Sequence, residues 1–349
     1  MFALYIHIPF CLQKCSYCDF ASFPVKQGVP QEYVKCICTE IDNYKNNGII
    51  LSTIYIGGGT PSLLSVEQLT QILVCVKQNF TLAQGLEFTL EANPETYEKE
   101  KFSGFKELGV NRVSLGVQSF QPKYLMYLGR VHSKEKAIEA LEGIKGIFTN
   151  INIDLMNALP EQTLAEAQAD LLTAVSFAPQ HISCYELTYE KGAALAAVEK
   201  NELDVEMYTQ TKEILEAHGY KQYEISNYAR PGFEARHNLV YWSDESYLGV
   251  GLAAHSYDRE QKLRWSNTSD LKKYLTGSFK IESKQEDNFN KIMMGLRKNS
   301  GVPLEYFDEK QKHKITELNE QKLLLSENGN VCLTDAGRLV LNKILLEFM

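Results

Sequence analysis

The sequence predicts an α/β fold: a partial (β/α)6 barrel followed by a small C-terminal helical domain with a winged-helix-like arrangement. Through the first half of the chain, short runs rich in Ile, Val and Leu alternate with helical patterns, which is typical of repeated βα units and a parallel sheet. From residue 287 onward, helices surround one short apolar run. A length of 349 residues with 44% hydrophobic content supports one large core and a smaller appended one.

Six apolar runs are predicted strands, at residues 3–8, 53–56, 86–90, 112–115, 151–155 and 181–185. Helices are predicted between and after them at residues 31–46, 65–79, 97–108, 133–145, 163–176 and 204–217. Two of the helix starts are well defined, because Ser65 with Gln68 and Thr163 with Glu166 have the spacing of capping boxes. In a capping box the two side chains satisfy free backbone N–H groups at the helix start.

Three segments follow from this pattern. Residues 1–228 form the predicted barrel, and residues 229–286 form a connecting region that we expect over the barrel mouth. Residues 287–349 form the C-terminal domain, with a strand near 331–333. Winged helices often bind DNA, but a formal charge of −8 and few basic clusters argue against a nucleic-acid partner. No apolar run is long enough to span a membrane and no signal peptide precedes the first strand, so we expect a cytoplasmic protein.

Cys11, Cys15 and Cys18 follow the first predicted strand, four and then three positions apart. Such a loop can direct three thiolates to one point, which suits an iron–sulfur cluster with one iron left open. This spacing is the signature of radical S-adenosylmethionine (SAM) proteins, in which SAM chelates the fourth iron of a [4Fe-4S] cluster. A structural zinc site is the alternative, but it needs four ligands and no nearby Cys or His pair completes this one.

Polar and glycine residues also follow or end the next four strands. A glycine run, Gly57 to Gly59, leads into Thr60 after the second strand, and Glu91 ends the third. Gln118 follows the fourth strand and Asp154 ends the fifth. Because the βα loops of a barrel emerge at the carboxyl ends of its strands, we expect these residues to share one binding face. Their oxygens suit ribose hydroxyls and an amino group, whereas the guanidinium of Arg130 suits a carboxylate.

The segment 237–242 is the second unusual stretch. It contains His237, Asn238, Tyr241 and Trp242, the last being one of only 2 tryptophans. An imidazole can ligate haem iron while aromatic rings pack on the macrocycle. The same composition also fits an ordinary packed corner around one buried histidine, so the residues alone leave both interpretations open.

With these residues, nearly the whole chain resembles the radical SAM family of oxygen-independent coproporphyrinogen III oxidases and their relatives. Residues 5–11, YIHIPFC, match the family's opening, and the later polar residues fall in the matching order. The resemblance implies that the three cysteines bind a [4Fe-4S] cluster. It also implies that SAM is bordered or contacted by Tyr5, Tyr17, Gly58, Gly59, Thr60, Glu91, Gln118, Arg130 and Asp154.

Within this family, two features favour a haem-chaperone branch over the oxidases. Phe20 stands where the oxidases have a further cysteine, and the first strand begins too early for the oxidases' N-terminal extension. Residues 237–242 match the HNxxYW motif of the chaperone branch, which implies that His237, Asn238, Tyr241 and Trp242 contact haem. The haem would pass to respiratory haemoproteins, with transient membrane contact. The sequence leaves open whether SAM is cleaved and whether the chain forms a homodimer.

Overall fold

The computed structural model describes residues 1–45, 48–187, 201–285 and 287–349. The predicted end of the first helix at residue 46 and the predicted end of the connecting region at residue 286 lie outside these ranges.

The described residues form seventeen strands, which are listed here with their bounds: β1 (Phe2–Ile8), β2 (Phe10–Cys11), β3 (Phe23–Pro24), β4 (Ile50–Gly58), β5 (Thr81–Ala92), β6 (Arg112–Gln118), β7 (Ile151–Asn157), β8 (His181–Glu186), β9 (Lys221–Gln222), β10 (Asn227–Ala229), β11 (Tyr247–Val250), β12 (His255–Asp258), β13 (Leu263–Asn267), β14 (Lys280–Gln285), β15 (Val302–Pro303), β16 (Leu324–Glu327) and β17 (Asn330–Leu333).

The same residues form thirteen α-helices: α1 (Gln31–Asp42), α2 (Val66–Asn79), α3 (Lys99–Glu107), α4 (Pro122–Tyr127), α5 (Lys134–Lys145), α6 (Leu164–Ser176), α7 (Asp204–Ala217), α8 (Arg236–Trp242), α9 (Leu271–Leu275), α10 (Asn288–Gly295), α11 (Glu309–Glu320), α12 (Asp335–Leu339) and α13 (Leu341–Leu346). Short 3-10 helices occupy Pro61–Leu63, Pro94–Thr96 and Leu304–Tyr306.

The six predicted strands are all present as β1, β4, β5, β6, β7 and β8, and they pair in this order, each parallel to its neighbour. The α/β prediction of a partial (β/α)6 barrel is therefore confirmed. The sheet is larger than expected, because β11 adds a further parallel strand beside β1 and antiparallel strands extend both edges. The predicted connecting region thus contributes β11 to β14 to the main sheet.

The sequence explains why these elements form. Strand β6 is buried at all seven positions, as expected for a central strand of a parallel sheet covered on both faces. Helix α1 buries Tyr33, Val34, Ile37 and Ile41, which recur three and four positions apart and so lie on one face. Both predicted capping boxes are present, at the starts of α2 and α6.

The C-terminal unit has a hydrophobic core of its own. Helices α10 to α13 pack with a three-stranded antiparallel sheet, ordered β15-β17-β16, around residues such as Ile292, Leu318 and Ile344. This arrangement agrees with the predicted helical, winged-helix-like domain. In the described part of the chain, no helix is both long enough and apolar enough to cross a membrane.

Candidate cofactor site

A cavity of about 510 Å³ runs from the cysteine loop into the interior of the barrel. Its wall brings together most of the residues that the sequence pointed to: Cys11, Cys15, Tyr17, Cys18, Gly58, Gly59, Thr60, Glu91, Gln118, Arg130, Asp154 and Asn238. Four predicted residues, Tyr5, His237, Tyr241 and Trp242, are not among the lining residues.

The cysteine loop is fastened at both ends by backbone hydrogen bonds. Strand β2 pairs with β3, and the amide of Val25 donates to the carbonyl oxygen of Cys11 over 2.8 Å. The loop turns where the amide of Cys18 donates to the carbonyl oxygen of Cys15, 3.2 Å away. Burial raises the pKa of the Cys11 thiol, and the neighbouring Ser22 opposes this effect. The three thiols therefore share one wall of the cavity on a short, closed loop.

The glycine run lets strand β4 approach the start of the cysteine loop. A Cβ atom on Gly59 would lie 2.6 Å from the carbonyl oxygen of Phe10, and Gly58 has a φ of +120°, which side chains rarely adopt. The amide of Gly59 donates to the carbonyl oxygen of Ile8 over 2.8 Å. Glycine is thus required here because two backbones meet, directly before Cys11.

Glu91 and Asp154 are acidic groups inside the cavity. Glu91 accepts hydrogen bonds from the hydroxyl of Tyr55 at 2.6 Å and from the amide of Gly58 at 3.0 Å. Burial nevertheless raises the pKa of Glu91 to about 7. Asp154 accepts from Ser114 at 3.0 Å, and burial raises its pKa as well. Both carboxylates are held in fixed orientations, which suits recognition of a cationic or hydroxyl-bearing ligand.

Arg130 connects the cysteine loop to the strand ends. Its guanidinium donates to the amide oxygen of Asn93 and to the carbonyl oxygen of Gly116, both at 2.8 Å, and it lies 3.5 Å from the Sγ atom of Cys15. Gln118 has a φ of +70° and accepts a 2.8 Å hydrogen bond from the hydroxyl of Tyr185. The left-handed backbone at Gln118 is uncommon for a residue with a side chain and is typical of functional sites.

Sequence reasoning missed several polar residues deeper in the barrel. They also line the cavity and are Tyr55, Arg112, Ser114, Asn152, Ser183 and Tyr185. The signal that could have found them is the alternation along β6, where Arg112, Ser114 and Gln118 are two or four positions apart and therefore share a face. We interpreted that run only as apolar because its other face carries Val113, Leu115 and Val117.

Helix α8 carries the HNxxYW motif, but it does not lie over the barrel mouth as predicted. The amide of His237 donates to Glu87, and the side chain of Arg236 donates to the carbonyl oxygens of Gly85 and Ser52. These partners belong to the amino-terminal parts of β4 and β5, whereas the cysteine loop follows the carboxyl end of β1. Helix α8 therefore lies at the opposite end of the barrel. The buried Glu87 accepts hydrogen bonds there from free N–H groups at the start of the helix.

His237 is enclosed by hydrogen-bonding and aromatic partners. Its Nδ1 atom lies 2.7 Å from the hydroxyl of Thr53, and its Nε2 atom lies 2.8 Å from the hydroxyl of Tyr241. The ring stacks on Tyr55 at a centroid distance of 4.9 Å, and the residue is only 1% exposed. Burial, together with the charge of Arg112, lowers the pKa of His237 to about 3. In this arrangement both ring nitrogens are hydrogen bonded to hydroxyl groups of the protein.

The cysteine loop, in contrast, offers the donors that a cluster needs. Cys11, Cys15 and Cys18 line one cavity with room beside them for a further ligand. Across residues 1–45, 48–187, 201–285 and 287–349, no three His, Cys, Asp or Glu side chains are grouped so as to hold a single metal ion. A cluster with several irons spreads its thiolate ligands further apart than one zinc ion does.

Two protein families match successive parts of the chain. A family model described as the radical SAM superfamily matches residues 5–173, and one described as the HemN C-terminal domain matches residues 283–340. The crystal structure of coproporphyrinogen III oxidase (HemN) from Escherichia coli superimposes with a TM-score of 0.83 over 99% of this chain and 89% of that chain. At 22% identity this likeness shows a shared fold. Residues 5–173 therefore match the radical SAM superfamily, and the whole chain shares the fold of this oxidase.

Curated relatives narrow the class. The chain is 35% identical to the heme chaperone HemW of Haemophilus influenzae over 99% of this chain and 97% of the relative. It is 36% identical to HemW of Bacillus subtilis, over 100% and 99% of the two chains. HemW of Escherichia coli is 39% identical over 81% of this chain. The chain belongs to the HemW family.

Proposed function

We propose that this protein binds haem and delivers it to respiratory haemoproteins, and that it carries a [4Fe-4S] cluster to which SAM is bound. The observation that carries this proposal is the similarity to heme chaperones over nearly the full length of both chains. This relationship covers the barrel and the C-terminal unit alike.

The cavity supports the cofactor part of the proposal. Cys11, Cys15 and Cys18 would bind three irons, and SAM would occupy the space beside them against Gly58, Glu91 and the other polar side chains. When bound, such a cluster supplies an electron to SAM in radical SAM proteins. Glu91 and Asp154 would orient the ligand through oxygens that their own neighbours hold in place.

We propose a haem site different from the one that the sequence predicts. Because both nitrogens of His237 are already hydrogen bonded, we propose that α8 supports the floor of the cavity and that His237 is not the iron ligand. Of the four motif residues, Asn238 alone lines the cavity. Haem would then bind on the side of the protein where the cavity opens, near the cysteine loop and the exposed ring of Phe20, which is 61% exposed.

A haem titration tests the main proposal. Purified protein, with and without the reconstituted cluster, is titrated with haem while the Soret band is recorded, and we expect a shift that saturates at a fixed ratio of haem to protein. The variant His237→Gln should give the same shift if the histidine is structural. A featureless titration of folded wild-type protein would remove the haem-binding proposal, and loss of the shift in His237→Gln alone would restore this histidine as a ligand.

The alternative function is oxygen-independent oxidation of coproporphyrinogen III. The observation that favours it is the fold shared with HemN. Phe20, at the position of the oxidases' additional cysteine, argues against it. We expect the anaerobically reconstituted protein to form no protoporphyrinogen when it is supplied with SAM, a reductant and coproporphyrinogen III. Sustained product formation would contradict the chaperone proposal.

We further propose that the protein acts in the cytoplasm and reaches membrane-bound acceptors by transient contact. The absence of a membrane-crossing helix among the described residues is compatible with such contact. Whether two copies associate is tested by measuring the mass of the protein in solution with and without the cluster.

A further inference from the structure

Arg112 is a charged residue in the barrel that the proposed cofactor contacts do not use. It is the first residue of β6, pairs with Thr89 of β5, and is only 2% exposed. Its side chain nevertheless lines the cavity, together with Ser114 of the same strand and Asn238 of α8. Arg112 therefore lies inside the barrel, in contact with the space that a ligand would occupy.

The guanidinium of Arg112 carries a buried donor that has no protein partner among the residues that the structure describes. This donor is the Nε atom, which is buried without a hydrogen-bond acceptor. Arg130, the other arginine of the cavity, has two oxygen acceptors at 2.8 Å and a sulfur at 3.5 Å. A buried guanidinium carries five donors and stays protonated, so leaving it unpartnered is strongly unfavourable.

The nearby acidic groups that the structure describes do not form ion pairs with the Arg112 guanidinium. Glu91 is held by Tyr55 and by the amide of Gly58, and Asp154 is held by Ser114 and Asn152. The charge of Arg112 lowers the pKa of each carboxyl, although burial raises both more strongly. Neither carboxylate forms an ion pair with the guanidinium in the described structure, so the arginine remains available to a group from outside the protein.

The chemistry of that group follows from the shape and charge of the site. A guanidinium forms paired, parallel hydrogen bonds with a planar carboxylate. The two acidic side chains in the same cavity disfavour a more highly charged anion such as a phosphate. A single carboxylate is the anion that best suits Arg112.

We propose that Arg112 binds a carboxylate of the ligand that occupies the barrel cavity. This inference rests on the proposed function, which supplies two sources of that group: the methionyl carboxylate of SAM and a propionate of haem. Both arginines have a buried Nε atom without an acceptor, but the terminal nitrogens of Arg130 already bond to two oxygens and a sulfur of the protein.

The test compares each ligand with a partner that lacks its carboxylate. Binding of SAM and decarboxylated SAM, and of haem and haem dimethyl ester, is measured for the wild type, Arg112→Gln and Arg112→Lys. We expect Arg112→Gln to lower the affinity for one carboxylate-bearing ligand at least tenfold and to change the affinity for its counterpart less than twofold. Arg112→Lys should retain part of the preference, because an ammonium group keeps the charge but not the paired geometry. The ligand pair whose relative affinity changes shows whether SAM or haem supplies the carboxylate.

Arg259→Gln is the matched control, because this arginine is 56% exposed and does not line the cavity. For each ligand pair, the affinity for the carboxylate-bearing ligand is divided by the affinity for its counterpart. If this ratio is the same in wild type and Arg112→Gln, the inference is overturned, whereas the proposal that the wild type binds haem is not affected. Failure of the wild type to bind either ligand would overturn both the inference and the proposed function. If Arg112→Gln does not fold, a crystal structure of the liganded wild type decides: a carboxylate oxygen about 3 Å from the guanidinium supports the assignment, and its absence there rejects it.

Discussion

His237 illustrates at the scale of one residue how composition and geometry can suggest different roles. A histidine beside an amide and two aromatic residues resembles a ligand set, yet its two nitrogens bond to Thr53 and Tyr241. The sequence alone could not distinguish these roles, because Thr53 and Glu87 come from strands far away along the chain. A histidine buried in its neutral form should instead be recognised by how stability depends on pH.

The pH dependence associated with His237 has a defined sign. Its pKa is about 3 in the folded protein, below the ordinary 6.5, because burial disfavours the charged ring. As pH falls below 6.5 the unfolded chain takes up a proton that the folded chain does not, so stability is lost. Between pH 7 and 5 we expect the wild type to lose about 2 kcal/mol through this residue. Urea unfolding at a series of pH values measures the loss.

His237→Gln should remove that part of the pH dependence, whatever its effect on stability at neutral pH. His313→Gln, at an exposed position, serves as the control and should retain the wild-type profile. An unchanged slope in His237→Gln would show that the ring is not held neutral in the folded state.

At the scale of elements, the order and type of the barrel strands and helices could be predicted, because periodicity and caps are local properties. The full extent of strand pairing in the main sheet could not be predicted. Strand β5 begins at Thr81, five residues before the predicted start, and β11 joins the sheet although no strand is predicted there. The placement of α8 was wrong for the same reason, since it depends on a contact with Glu87 that no local pattern reveals.

The contact between Gly59 and Phe10 makes the glycine run sensitive to one added methyl group. Gly59→Ala would place its Cβ atom 2.6 Å from a backbone oxygen, so the cysteine loop must shift. We expect a loss of about 1–3 kcal/mol in stability, typical of overpacking, and less iron bound after reconstitution. Urea unfolding and iron analysis measure the two effects.

Gly146→Ala is the matched control for Gly59→Ala. Gly146 ends α5 in a right-handed conformation, and an added Cβ atom would approach no atom closer than 3.4 Å. It should retain wild-type iron content. Equal behaviour of the two variants would mean that the backbone contact does not shape the cysteine loop.

Glu40 joins α1 to the added strands, and it gives a pH effect of opposite sign. It accepts hydrogen bonds from the amide of Gly251, Asn267 and Tyr274, but burial raises its pKa to about 7. The folded chain therefore keeps a proton that the unfolded chain loses, and stability falls as pH rises from about 4.5 to about 7. Glu40→Gln should flatten this fall by about 2 kcal/mol, as measured by urea unfolding from pH 5 to 8. Glu98→Gln, with a side chain that is 71% exposed, should not.

At the scale of the whole molecule, the two hydrophobic cores are joined by polar contacts. Lys291 of α10 lies 3.0 Å from Asp244, with side chains only 12% and 8% exposed. Asn299 donates a 2.6 Å hydrogen bond to the carbonyl oxygen of Gln222, and Lys212 of α7 pairs with Asp335 of α12 at 2.7 Å. The C-terminal unit is therefore attached on the side of the barrel where α8 lies.

Removing Lys291 should loosen this attachment. Lys291→Met leaves the buried Asp244 with one exposed arginine and the hydroxyl of Tyr257 as partners, and breaking a buried ion pair from one side costs about 3 kcal/mol. We expect lower stability in urea and faster proteolysis at the start of the C-terminal unit. Lys312→Met breaks an exposed pair with Glu309 and should change stability by less than about 1 kcal/mol. Similar losses in both variants would contradict a role for Lys291 in joining the cores.

The position of β1 between β4 and β11 constrains how the chain acquires its structure during synthesis. Ala3 pairs on one side with Thr53 and on the other with Tyr247, which belongs to the last third of the sequence. One edge of β1 must therefore wait, with unpaired backbone groups, until β11 has emerged from the ribosome. The cysteine loop follows β1 directly, so the three thiols reach their final setting late, and a cluster bound by them would be inserted after translation of β11.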